Sequence, residues 1–231
     1  MRRLVMALTA GALLALGATG AQASVSGARP NATPECGSYC FELSSLILGP
    51  RMVENAVVPG DTGSGGRIGV PATLSLATNI APDEDFTETS IGPASDFCGV
   101  RGGFPKYSYI CIHYAADPVF EADWAPFGVE SGLCLGLAPH PFAGERVTLR
   151  YCGVSVRTLW LSDTAHGTDA YGAWYTPWIN GGERNFSHPL VLTIAPGGRR
   201  PANQLKVERE DLYNGVTPDT QEFTITTGPV P

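Results

Sequence analysis

Apolar and polar residues alternate over three short stretches of the chain, and a shared spacing leads into each. In the first two, a glycine stands three residues before an apolar residue and five before a leucine (residues 69–74 and 144–149). Residues 187–192 keep this spacing with a serine in place of the glycine. Because side chains on a strand point alternately to its two faces, the pattern predicts three half-buried β-strands. The residues expected on the buried faces are Ala72, Leu74, Leu76, Val147, Leu149, Tyr151, Leu190, Leu192 and Ile194.

A large apolar residue follows the first two stretches and is expected to close a structural unit. The triplet 84–86 ends in Phe86, twelve residues after the first leucine, and the triplet 158–160 ends in Trp160, eleven residues after the second. Two triplets fit the third stretch, because 203–205 matches the spacing and 221–223 matches the residue types better. We predict that Trp160 is buried, and the closure of the third unit stays open.

Turn-forming residues separate these strands. The chain of 231 residues contains 28 glycines and 19 prolines and has no long segment of helical periodicity. Frequent glycine and proline residues are typical of many short strands joined by turns. A chain of this length can form a single all-β domain. We therefore predict one all-β domain over residues 36–227 with an insertion near 88–118, a flexible segment over 24–35 and a short tail over 228–231.

The beginning of the chain has the features of a secretory signal peptide over residues 1–23. Two arginines precede an apolar run over residues 4–16, and Ala21 and Ala23 supply the small residues that signal peptidase needs. We predict cleavage after Ala23, so that the secreted protein begins at Ser24. The apolar run is shorter than the about 20 residues that cross a bilayer, so no membrane insertion is expected. A twin-arginine signal is the alternative, although the residues after the arginines do not extend that motif.

The predicted mature chain is acidic. Removing two of the 15 basic residues and none of the 22 acidic ones leaves 13 against 22 and changes the net charge from −7 to −9. Phosphate backbones and anionic membranes repel such a protein. Neither nucleic acid nor a membrane surface is therefore expected as a partner.

Six cysteines form an even set, which is typical of disulfides in an exported chain. The sequence allows many connectivities, and we predict that neighbouring cysteines pair. Metal binding is the alternative, but the chain has no Cys-x-x-Cys or His-x-x-x-His spacing, so no metal or other cofactor is expected. The predicted pairs are Cys36–Cys40, Cys98–Cys111 and Cys134–Cys152.

Residues 132–160 carry several motifs in a fixed order. In sequence they are the dipeptide Cys134-Leu135, the stretch Val147-x-Leu149-x-x-Cys152 and the closing Thr158-x-Trp160. This segment resembles one repeat of the ricin-B-type β-trefoil family, with its CL dipeptide, paired cysteine and Q-x-W close. Residues 55–87 and 175–227 match the family only in spacing and alternation, and residues 88–118 have no counterpart.

The resemblance implies a β-trefoil of three degenerate repeats, a barrel of short antiparallel strands capped by hairpins. A β-sandwich with the same alternation is the alternative. In the family, sugars contact an acidic residue after the CL dipeptide, an aromatic ring and an asparagine before Q-x-W. The middle unit has Gly136 and Arg157 in the two polar slots and Thr158 in place of the glutamine, so no sugar site is expected there. The first unit has Asp83 and the third has Asn180, so these two units stay candidates for a sugar site.

An aromatic run lies beside polar residues in the third unit. Tyr171, Trp174, Tyr175 and Trp178 precede the polar segment 180–185. Rings next to hydrogen-bonding groups suit a shallow ligand site, although the rings could instead fill the end of the barrel. The predicted ligand-binding residues are Trp174, Trp178, Asn180, Glu183, Arg184 and Asn185.

The sequence offers little support for catalysis. Its four histidines stand in unrelated contexts, and no Gly-x-Ser-x-Gly elbow, His-Glu-x-x-His pair or phosphate loop occurs. Asp83, Glu84, Asp85 and Glu88 could supply the two carboxylates of a glycosidase, but such a cluster after a proline is typical of a solvated turn. No catalytic residue is therefore expected.

These observations favour a secreted, monomeric, non-catalytic binding protein. Carbohydrate, or a glycan at a cell surface, is the first candidate ligand. The alternative is a secreted interaction protein, inhibitor-like or structural, without a sugar site, because one fold supports unrelated functions.

Overall fold

The computed structural model describes residues 40–49, 52–55, 68–76, 86–125, 129–183, 186, 188–194, 202–212 and 215–226. The predicted signal peptide, the segment 24–35 and the tail 228–231 lie outside this part of the chain, so the domain boundaries stay predictions. The described residues are almost entirely β. No helix among them is long and apolar enough to cross a membrane.

Twelve of the strands fall into three consecutive units of four. In each unit the two outer strands belong to a barrel and the two inner strands form a hairpin. The first unit holds β1 (Glu42–Ser45), β2 (Met52–Asn55), β3 (Thr73–Leu76) and β4 (Phe86–Pro93), the second holds β5 (Pro118–Trp124), β6 (Leu133–Gly136), β7 (Thr148–Tyr151) and β8 (Trp160–Ser162), and the third holds β11 (Trp178–Asn180), β12 (Leu190–Ile194), β13 (Ala202–Arg209) and β14 (Phe223–Thr226).

Further elements lie between these strands. An additional hairpin separates the second unit from the third, and one short helix follows β4. The additional hairpin is formed by β9 (Thr168–Ala170) and β10 (Ala173–Tyr175), the helix is α1 (Tyr109–His113), and the 3-10 helices are Leu46–Leu48, Ala94–Phe97, Val156–Thr158, Thr164–His166 and Asp219–Gln221.

The outer strands of the three units close a barrel. β1 pairs with β14, β4 with β5, β5 with β8 and β8 with β11, always antiparallel. Single bridges from Phe41 to Phe86 and from Thr176 to Phe223 complete the ring. The inner strands pair as the hairpins β2–β3, β6–β7 and β12–β13. This architecture is a β-trefoil, so the predicted all-β fold of three degenerate repeats is confirmed over the sandwich alternative.

A ring of backbone hydrogen bonds joins the three hairpins at the pseudo-threefold axis. Ala72 N donates to Val147 O (2.9 Å), Val147 N donates to Leu205 O (3.0 Å) and Leu205 N donates to Ala72 O (3.0 Å). All three residues are fully buried. They are therefore equivalent positions of the three repeats, and they define the cap end of the barrel.

This ring corrects the sequence alignment of the third unit. Leu190 and Leu192 lie in β12, the second strand of their unit, whereas Leu149 lies in β7, a third strand. The counterpart of Val147 in the third unit is Leu205 in β13. The prediction was wrong because alternation marks any half-buried strand and does not distinguish the second strand of a unit from the third.

The closing residues of the three units also become equivalent in the structure. Phe86 begins β4, Trp160 begins β8 and Phe223 begins β14, and all three are fully buried in one core. The triplet 221–223 therefore closes the third unit. Trp160 is buried as predicted, and its Nε1 donates to Leu135 O at 3.0 Å.

Two predicted disulfides are confirmed. Cys134 bonds to Cys152 across the β6–β7 hairpin, and Cys98 bonds to Cys111 within the connection from β4 to β5. Cys40 is also disulfide-bonded, while Cys36, its predicted partner, lies outside the described residues. Disulfides of this kind are typical of proteins in oxidising compartments.

Candidate functional site

The candidate site lies at the end of the barrel opposite to the cap. There, residues of β4, β14 and the end of β8 meet the first residues of β5 and β11. They enclose an open pocket of about 210 Å³, and its wall on one side comes from β10. This Trp174 pocket is lined by Glu88, Ile91, Pro118, Phe120, Ser162, Trp174, Thr176, Trp178, Phe223, Thr224 and Ile225.

The floor of the Trp174 pocket belongs to the barrel core. Phe120 and Trp178 contact each other edge to face, with ring centroids 4.7 Å apart, and Phe223 lies 6.1 Å from Trp178. All three side chains are buried in the main core. Because close-packed interiors leave few alternative side-chain positions, the floor is rigid and apolar.

Trp174 stands on the additional hairpin. Tyr171 and Gly172 connect β9 to β10 with φ angles of 53° and 77°, as in the two-residue type I′ turns that suit the twist of a hairpin. Trp174 pairs with Asp169 and keeps 51% of its surface exposed. The hairpin thus holds an indole ring at the edge of the pocket without burying it.

Gly167 provides the space in which the Trp174 ring lies. A Cβ at position 167 would fall 2.6 Å from Trp174 Nε1 and 2.7 Å from Tyr175 O. Its φ of −84° is open to any residue. The glycine is therefore required by the close approach of the ring and not by its backbone conformation.

A β-bulge shapes the opposite rim. Thr89 pairs with Glu121 and Gly92 pairs with Val119, so β4 has one more residue than β5 over this interval. Bulges redirect side chains, and Ile91 within this one is 62% exposed. Glu88 precedes the bulge and is half-buried, and this burial raises the pKa of its carboxyl group.

Hydroxyl groups complete the lining. Ser162 Oγ and Thr176 Oγ1 lie 2.6 Å apart and share a hydrogen bond, and Thr224 follows Phe223 in β14. Hydroxyls donate and accept hydrogen bonds equally well. The Trp174 pocket therefore combines an aromatic ring, a carboxyl group and hydroxyls above an apolar floor.

The structure brings together two of the six predicted ligand-binding residues. Trp174 and Trp178 both line the pocket. Asn180 is fully buried, donates from Nδ2 to Arg157 O and accepts at Oδ1 from Gly182 N, each at 2.9 Å. It therefore holds the backbone of a turn.

The polar members of that set lie elsewhere. Glu183 is nine-tenths buried, pairs with Arg209 and lines two other surface pockets. Arg184 and Asn185 lie outside the described residues. The ligand-binding role of the six residues stays a prediction.

Sequence reasoning missed most of the pocket. Ile91 and Thr224 join Trp174 only through the pairing of strands distant in sequence, and no local pattern marks them. Glu88 belonged to the predicted acidic cluster, of which Asp83, Glu84 and Asp85 lie outside the described residues.

The structure explains why the middle unit has no room for an acidic side chain at position 136. A Cβ on Gly136 would lie 2.9 Å from Thr158 Cγ2 and 3.0 Å from Arg157 O. Thr158 Oγ1 in turn donates a hydrogen bond to the buried carboxylate of Glu121. Protein atoms therefore fill the space in which an acidic side chain of the ricin-B type would lie.

Comparison with known proteins supports the fold alone. No protein-family model and no curated protein matches the sequence. The structure is similar to the designed 3-fold symmetric protein ThreeFoil, with a TM-score of 0.50 and 8% identity over 81% of this chain and 97% of that one. It is also similar to a mosquitocidal holotoxin, with a TM-score of 0.49 and 11% identity over 81% of this chain but 17% of that one. The likeness to ThreeFoil supports the trefoil fold and does not extend to membership of the ricin-B family.

Proposed function

We propose that this protein is a secreted, non-catalytic binding protein that takes carbohydrate in the Trp174 pocket. The observation that carries the proposal is the half-exposed ring of Trp174 in one pocket with the half-buried carboxyl of Glu88 and the hydroxyls of Ser162, Thr176 and Thr224. A sugar ring presents apolar C–H faces and a rim of hydroxyls. An aromatic ring beside donors and acceptors matches both features.

The size of the pocket limits the ligand. Its volume of about 210 Å³ is below the about 300 to 1,000 Å³ typical of pockets for drug-sized ligands. It therefore suits one sugar ring or the end of a chain. Affinity for a monosaccharide should be near the millimolar range, about −4 kcal/mol, and longer ligands should bind more tightly.

Secretion is supported by the amino-terminal sequence and by the disulfides of the described residues. A net charge of −7 for the full chain also favours a neutral ligand over a polyanion. Carbohydrate fits both conditions.

A glycan array with the mature protein, followed by titration of the best oligosaccharide, tests the proposal. Trp174→Ala should reduce the affinity at least tenfold. Tyr171→Asn is the matched control, because Tyr171 is an exposed ring of the same hairpin that does not line the pocket and asparagine tolerates its positive φ. Glycan binding that survives Trp174→Ala would contradict the proposed site.

An interaction protein is the second candidate. The exposed side chains of Ile91 and Trp174 give the rim the apolar, aromatic character of a protein-binding hot spot. If no glycan binds, a photoreactive residue at position 91 should crosslink a protein partner. That crosslink should disappear in Trp174→Ala.

A further inference from the structure

Three side chains with metal-ligating atoms meet beside the end of β8. Asp163 precedes the 3-10 helix Thr164–His166, His166 ends that helix, and Glu210 follows β13 directly. One ligand atom from each side chain lies within 4.8 Å of the other two. His166 Nδ1 lies 2.8 Å from Asp163 Oδ2.

The two carboxylates of this cluster are buried. The side chain of Asp163 has no exposed surface, and Glu210 is 8% exposed. Asp163 Oδ1 accepts a hydrogen bond from Ala165 N at 3.0 Å. Glu210 Oε1, in contrast, is buried without a hydrogen-bond partner among the described residues.

Among the described residues, the two buried carboxyl groups of this cluster have one cationic partner, His166. No lysine or arginine there forms an ion pair with Asp163 or Glu210, and His166 is the partner that Asp163 has. A buried charge without a counter-charge is costly, so a buried carboxyl group takes up a proton, pairs with a cation or coordinates a metal. A proton alone would leave Glu210 Oε1 without a hydrogen-bond partner among the described residues, whereas a bound cation would satisfy it.

We propose that Asp163, His166 and Glu210 bind a divalent transition-metal ion of the zinc class. One imidazole nitrogen and two carboxylates are a donor set that zinc accepts, whereas calcium and magnesium prefer oxygen ligands throughout. Tetrahedral zinc bonds of about 2.0 to 2.2 Å place ligand atoms about 3.3 to 3.6 Å apart. Binding therefore requires Glu210 to move closer and the hydrogen bond between His166 and Asp163 to open, with release of the proton from the ring nitrogen.

The site joins parts of the chain that are distant in sequence. The 3-10 helix that carries His166 leads into Gly167 and the β9–β10 hairpin, while Glu210 belongs to the third unit. An ion at this position would stabilise the base of the hairpin. No sequence motif indicated this site, because its ligands follow neither a Cys-x-x-Cys nor a His-x-x-x-His spacing. The proposal does not depend on carbohydrate binding.

Calorimetric titration of tag-free, EDTA-treated mature protein with Zn²⁺ tests the site. The wild type should bind one equivalent with micromolar or tighter affinity and should melt at a higher temperature with Zn²⁺ than without. His166→Ala and the isosteric Glu210→Gln should each weaken binding at least tenfold. His140→Asn, which removes an exposed histidine from the β6–β7 connection of the second unit and keeps a residue that tolerates its positive φ, should bind as the wild type does.

Several results would overturn the proposal. They are the absence of saturable Zn²⁺ binding, binding that persists in the His166→Ala/Glu210→Gln double variant, and binding of Ca²⁺ in preference to Zn²⁺. If near-ultraviolet circular dichroism shows that a variant fails to fold, Co²⁺ is added to the wild type instead. Bound Co²⁺ should give visible d–d absorption bands and should shift the NMR signals of the His166 ring. The absence of both changes would contradict the site.

Discussion

The two ends of the barrel differ in how closely they keep the threefold repeat. At the cap end, Ala72, Val147 and Leu205 exchange equivalent hydrogen bonds and are all buried. At the other end, a bulge exposes Ile91 and an additional hairpin exposes Trp174. Symmetry is kept where the units must pack against each other, because none of them can bury its apolar face alone.

This difference predicts a separation of stability from binding. Substitutions at the cap end remove packed atoms and should lower the free energy of unfolding. Substitutions at the rim of the Trp174 pocket, at Ile91 and Trp174, remove largely exposed atoms and should act mainly on ligand binding.

Trp160→Ala should give the largest effect. The indole is fully buried and donates a hydrogen bond to Leu135 O, so truncation should cost about 3 to 5 kcal/mol. Trp174→Ala is the matched control and should cost less, about 1 to 2 kcal/mol, because half of its surface is exposed. Urea unfolding followed by circular dichroism measures both. Equal losses in the two variants would contradict the separation.

The two disulfides allow a second comparison. Cys134–Cys152 closes 18 residues at the cap end and Cys98–Cys111 closes 13 in the β4–β5 connection, so chain entropy alone assigns each about 3 kcal/mol. Cys134 is fully buried, whereas Cys111 is partly exposed. Replacing the first pair with alanine should therefore lower the melting temperature more than replacing the second. In reductant the difference between wild type and each variant should shrink.

The sequence predicted best what lies close together along the chain. The middle unit places its cysteines and Trp160 within residues 132–160, so a local pattern revealed both the disulfide and the buried ring. The third unit was misaligned because Leu190 and Leu205 lie in neighbouring strands with the same alternation.

Of the residues that line the candidate site, only the two tryptophans were predicted from sequence. Trp174 and Trp178 are conspicuous in sequence, but Glu88 and Ile91 reach them through the pairing of β4 with β5. Asn180 was expected at the surface because it is polar. Its burial is possible because the side-chain amide donates one hydrogen bond to a backbone carbonyl and accepts another from a backbone N–H. The fold, and not the local sequence, brings these backbone groups to Asn180.

The free energy of unfolding should depend on pH through the buried carboxyl group of Asp123, near the cap end. Desolvation by burial, with a smaller contribution from Glu130, raises the pKa of Asp123 from 3.8 to about 6. A raised pKa means that the stabilising contribution is complete below about pH 4 and is lost as the pH rises through about 6. The loss should be at most about 3 kcal/mol.

Urea unfolding between pH 4 and pH 7.5 measures this loss against Asp123→Asn, which should lack it. Ser131 Oγ donates to Asp123 Oδ1 at 3.2 Å and lowers the pKa. Ser131→Ala should therefore move the midpoint of the loss to higher pH. A midpoint that moves down would show that Asp123 is not the group responsible.

Gly167→Ala should lower both the free energy of unfolding and the affinity for glycan. The new methyl group meets Trp174 Nε1 and Tyr175 O within 2.7 Å, so both the indole and the backbone of β10 must move. Overpacking of this kind should lower the free energy of unfolding by about 1 to 3 kcal/mol. Glycan affinity should fall about tenfold, or about 1.4 kcal/mol, because the ring leaves its position at the pocket.

A double-mutant cycle separates this explanation from a general disturbance of the hairpin. If Gly167→Ala acts only by displacing the indole, it should have no further effect on binding in the Trp174→Ala background, and the two changes should be fully non-additive. Titration of the four proteins with one oligosaccharide gives the coupling. Additive losses would mean that position 167 acts on the pocket through a route other than Trp174.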